Sequence, residues 1–104
     1  MTSAQRNFAL DEMRNYSDRD AWLSDLAASS IWEDPEDQPE IPQERIDALL
    51  RLWDIVHLPI RELLAPMSQA QACREFYVPR RTMQDWFAGV RECPVYVRLY
   101  LARL

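Results

Sequence analysis

The chain has 104 residues and a formal net charge of −5, which suits one domain with a modest core. A single Gly and no alternating run rich in Val, Ile or Thr argue against a sheet, so the expected fold is all-α, a small helical bundle. No apolar run approaches the ~18–20 residues that span a bilayer and no signal peptide is visible, so no membrane partner is expected.

The two cysteines, Cys73 and Cys93, make no disulfide framework, and a cytoplasmic location follows as the expectation. With the lone His57 they lack zinc-site spacing, so no metal and no cofactor is expected. No Gly-rich phosphate loop or nucleophile–His pairing is present either, and an enzyme is not expected. Residues 1–56 carry −8, from 5 Arg against 13 Asp and Glu, whereas residues 57–104 carry +3, from 7 Arg against 4. Such an asymmetry assigns the halves different electrostatic roles. Every side-chain cation is Arg or His57, so lysine-dependent chemistry is excluded.

In chain order, Phe8, Ala9, Glu12 and Met13 allow one or two helical turns. Ser17, followed by Asp18 and Asp20, reads as a helix start that favours the macrodipole. That helix is expected to run to about Ser29, with Trp22, Leu23, Leu26 and Ala27 as its apolar stripe. Residues 33–44 hold six acidic side chains, no basic one, and Pro35, Pro39 and Pro42, and are expected to be an exposed acidic loop. The single chain thus reads as an acidic N-terminal extension, 1–44, followed by a helical region, 45–104. Pro42 opens a helix in which Ile46, Leu49, Leu50, Trp53 and Val56 share one face; His57 caps or packs at its end. A short helix at 59–64 supplies Ile60, Leu63 and Leu64 to a core.

Residues 68–94 carry the most informative pattern. Ser68 and Gln71 form an S-x-x-Q capping box, and Ala72, Cys73 and Phe76 recur at helical spacing behind it. Tyr77 and Val78 interrupt, Pro79 begins a second helix, Met83, Trp86 and Phe87 form its inner face, and Gly89 ends it. Two short helices around a tight turn make a helix-turn-helix pattern. Residues 95–104 form a last helix with Val97, Tyr100, Leu101 and Leu104 on one face. It either closes the core or meets a second copy of the chain.

The stretch resembles the phage-repressor-type (XRE/Cro-like) helix-turn-helix, and most closely a branch of small bacterial proteins with the signature SQ…F…(G)IP-RT-QxW…G…PP-YV. The matching positions are Ser68, Gln69, Phe76, Val78, Pro79, Arg81, Thr82, Met83, Gln84, Trp86, Gly89, Arg91, Pro94, Tyr96 and Val97. The match covers under a third of the chain and departs from the family at Tyr77, Phe87 and Val90. It implies a sequence-specific regulator that binds double-stranded DNA as a homodimer, its second helix in the major groove. Arg80 and Arg81 are then the candidate guanine contacts, with Thr82, Gln84 and Asp85 beside them. Gln69 matches the family's phosphate-binding glutamine, and Arg74 and Arg91 are candidate backbone contacts. A second expectation, from the acidic half, is a protein-binding inhibitor such as an antitoxin or an anti-CRISPR protein, its carboxylates mimicking a phosphate backbone.

Overall fold

The computed structural model describes residues 1–38 and 40–103; the expectations placed on Pro39 and Leu104 lie outside the described residues. The protein is all-α, and no strand occurs among the described residues. Its helices are α1 (Ser3–Met13), α2 (Arg19–Ala27), α3 (Gln43–His57), α4 (Ile60–Leu63), α5 (Gln69–Phe76), α6 (Arg80–Ala88) and α7 (Val95–Leu101), with one 3-10 turn at Ser30–Trp32. They fall into two compact units, Met1–Trp53 and Asp54–Leu104.

In the first unit, α1 is longer than expected because a capping box starts it. The Thr2 hydroxyl accepts from the Gln5 amide at 3.1 Å, and the Gln5 side-chain oxygen accepts from the Thr2 amide at 2.8 Å. Asp18, not Ser17, caps α2: its carboxylate accepts from the Ala21 amide at 3.1 Å, and an anion at this helix end is favoured. The helix stops at Ala27, short of Ser29, because the Ser29 hydroxyl caps the 3-10 turn through the Ile31 amide at 3.3 Å. α1 packs on α2. Trp22, fully buried, donates its indole N–H to the Ala9 carbonyl at 3.1 Å, so its one polar atom is satisfied.

The acidic stretch is largely exposed, as expected, yet Arg45 anchors its beginning. The guanidinium lies 4.6 Å from the Trp32 ring centroid, donates to the Ala27 carbonyl at 2.8 Å, and pairs with Asp34. That hydrogen bond holds the Asp34 carboxyl below its ordinary range, against the opposing effect of desolvation. Arg45 and the Trp22–Trp53 ring contact at 5.4 Å tie the first part of α3 to the first unit, and the boundary between the units falls within α3. Along α3 the buried residues are Leu49, Leu52 and Ile55, while Ile46, Leu50, Trp53 and Val56 are half-buried. The covered arc is therefore wider than the expected stripe and is rotated from it.

In the second unit, Ile55, Ile60, Leu63, Leu64, Ala72, Phe76, Met83, Cys93 and Leu101 form one apolar cluster. The short α4 supplies Ile60 and Leu63, with Leu64 just beyond it, as the spacing predicted. α4 and α5 both pack against α6. α7 follows expectation at Leu101, buried, and Val97, half-buried, and departs from it in burying Arg98 and exposing Tyr100; Tyr96 is exposed as well. Arg98 turns inward because backbone carbonyls await it. Nε donates to Cys93 at 3.2 Å, and Nη1 to Ile55 at 3.0 Å and Leu58 at 2.6 Å. The last two lie at the C-terminal end of α3, where a helix leaves carbonyls without partners. The neighbouring Cys93 thiol is pushed up to about 11 by burial, with the Arg98 charge acting in the opposite sense.

Candidate nucleic-acid interface

The helix pair α5–α6 forms as its caps specify. The Ser68 hydroxyl accepts from the Gln71 amide at 3.1 Å, and the Gln71 side chain accepts from the Ser68 amide at 2.7 Å. α5 ends on Tyr77 in the left-handed region, φ 53°, ψ 49°, where the Tyr77 amide bonds back to the Cys73 carbonyl. This is the geometry a turn glycine adopts freely, and the tyrosine adopts it while 96% exposed. Pro79 stands one position before α6, with its carbonyl accepting from the Met83 amide at 3.1 Å. The expected start at Pro79 thus moves one residue on. Gly89 closes α6 at φ 73°, and the Val90 amide returns to the Asp85 carbonyl at 3.0 Å.

Met83 is fully buried, and Trp86 and Phe87 are half-buried against the same cluster, so the inner face of α6 is the one expected. Phe87 accordingly packs through its one-turn relation to Met83. Helical geometry then turns Arg80, Arg81 and Gln84 to the exposed side, with Thr82 and Asp85 half-buried at its margins. Among the described residues Arg80 makes no ion pair. Arg81 forms an ion pair with Asp85, Nε to Oδ1 at 3.3 Å, while its side chain remains 83% exposed. A guanidinium has five N–H donors, and one left 83% exposed beside its carboxylate can still meet a second acceptor.

The other candidates divide. Gln69, half-buried, occupies the first position of α5, and Arg74 is exposed in its last turn. Arg74 lines a hollow of about 440 Å³ together with Tyr77, Val78 and Pro79, which brings it beside the start of α6. Arg91 is exposed beyond Gly89, at the other end of α6 from Arg80. At a rise of about 1.5 Å per residue that separation is ~12 Å or more. The residues that sequence reasoning missed are Arg45 and Arg98, whose guanidiniums serve their own units. Their carbonyl partners are distant in sequence, and no local pattern announces them.

No family model, curated protein or solved structure matches the chain. No group of three or more His, Cys, Asp or Glu able to hold a metal occurs among the described residues. No helix there is long and apolar enough to cross a membrane.

Proposed function

We propose that the protein is a sequence-specific DNA-binding regulator of the phage-repressor helix-turn-helix kind, with α6 as the reading helix. One observation carries the reading: Met83 and Trp86 turn inward while Arg80, Arg81 and Gln84 face outward at the start of α6. In the major groove a free guanidinium bonds guanine O6 and N7, and each such pair contributes about 1–3 kcal/mol of discrimination. Arg80 is the first such contact and Arg81, steadied by Asp85, the second. Gln69 and Arg74 hold the phosphate backbone, and Arg91 meets it on the far side. Two base contacts on one motif are weak, so the functional unit is a dimer on half-sites about one helical turn apart. Tyr96 and Tyr100, exposed one turn apart on α7, supply a surface for the second copy. A chain of this kind acts in the cytoplasm on its own locus.

The test is a gel shift with upstream DNA from that locus, at salt as low as ~50 mM because phosphate contacts weaken with salt. The Arg80→Ala/Arg81→Ala variant loses the shift and keeps its helical content. Absence of any shift with the unaltered protein overturns the reading.

A second reading takes the protein as an acidic inhibitor, of the antitoxin or anti-CRISPR kind, that binds a nuclease or toxin. What favours it is Tyr77, a large aromatic left 96% exposed at the turn, with the −8 of residues 1–56. Recovery of one nuclease or toxin with the tagged protein, lost on Tyr77→Ala, distinguishes it from the first.

A further inference from the structure

The C-terminal end of α6 and the start of α4 border a cleft of about 460 Å³. That volume lies in the range of small-ligand sites, roughly 300–1,000 Å³. The half-buried Trp86 and Phe87 are among its lining residues, with three arginines, Arg61, Arg91 and Arg98. Arg98 is the unusual one, at 8% exposure. Its Nε and Nη1 are fixed by three backbone carbonyls, and Nη2 makes no hydrogen bond among the described residues. No sealed side-chain nitrogen or oxygen there lacks a partner, so Nη2 keeps some access to solvent, and Arg98 is among the residues that line the cleft. A charged donor with its orientation already fixed loses little freedom on meeting an anion.

Arg61 adds a second cation, steadied by a bond to the Phe87 carbonyl at 3.3 Å. Arg91 brings a third, with no ion pair among the described residues. Glu62 and Glu92 also line the cleft, so positive charge leads by one and a single negative group is matched. We infer that this cleft binds a small aromatic carboxylate, its ring against Trp86 and Phe87 and its carboxylate between Arg98 Nη2 and Arg91. The site is at the opposite end of α6 from Arg80 and Arg81; it draws on Arg91, which the DNA reading places on the phosphate backbone, and its test uses no DNA.

The probe is 1-naphthoate, titrated into the full chain by calorimetry and by ¹⁵N NMR. Saturable binding is expected, with the Trp86 indole and the Gly89 amide among the shifted signals. Naphthalene-1-methanol, the same ring without the charge, binds about tenfold more weakly or worse. Arg91→Ala weakens naphthoate by about threefold, the worth of an exposed ion pair, and Arg98 is left intact because the fold depends on it. Absence of saturable binding, equal binding of the alcohol, or saturation that shifts signals elsewhere overturns the inference. The comparison of acid with alcohol needs no variant to fold.

Discussion

Arg98 donates through Nη1 to the carbonyl of Leu58 at 2.6 Å. The same nitrogen reaches Ile55 at 3.0 Å, so one buried cation closes the end of α3 inside the second unit. Hydrogen bonds to a charged donor are stronger than neutral ones, and carbonyls left buried and bare cost more than the bond itself contributes. Arg98→Met keeps the apolar stem and removes every donor. It should lower the unfolding free energy by on the order of 3 kcal/mol, measured by urea denaturation. Arg98→Lys should recover less than half, since a single ammonium cannot span three carbonyls. A loss below about 1 kcal/mol for the methionine variant would mean that water replaces the guanidinium.

Tyr77 and Gly89 share a left-handed backbone, at φ 53° and φ 73°, and predict opposite responses. A non-glycine residue there carries a strain of roughly 1–2 kcal/mol, and the exposed Tyr77 side chain returns no packing. Tyr77→Gly should stabilise the chain by about 0.5 kcal/mol, after the wider freedom of glycine in the unfolded chain is subtracted. Gly89→Ala should destabilise it by about 1 kcal/mol, although an added Cβ would meet nothing within 4 Å. Thermal melts of the two variants check both signs. Equal shifts in one direction would refute the strain argument.

Acid sensitivity should concentrate at Asp34. Its folded-state pKa is depressed, chiefly by the Arg45 hydrogen bond, so the contribution is fully present above the unfolded value of about 3.9. It is lost as pH falls through the lower folded value. Asp34→Asn should therefore lose stability at neutral pH and show a flatter decline below about pH 4. Parallel acid titrations of the first-unit tryptophan signal decide it: superimposable slopes for variant and parent would exclude Asp34 as the sensitive group.

The helices were legible where spacing and caps agree. Ser68 with Gln71, the apolar positions of α4 and α6, and Gly89 all lie where the pattern placed them. The same capping box, at Thr2 with Gln5, is not legible in sequence because α1 has a weak apolar face behind it. In α3 the single stripe missed Leu52 and Ile55, since a helix covered over a broad arc shows no one face in its periodicity. Arg45 and Arg98 look like solvated charges in sequence, and only the meeting of distant carbonyls turns them inward. Of the candidate interface, the outward set on α6 followed from its inward set, whereas the separation of Arg91 from Arg80 needed the turn at Gly89 to be seen.

Trp22 and Trp53, with ring centroids 5.4 Å apart at an interplanar angle of 44°, are close enough for their electronic transitions to mix. Their coupled circular-dichroism bands would vanish when the two indoles separate. The chain thus carries an optical gauge of its first half, and a single heating run that also follows the helical bands of both halves can tell whether they unfold together.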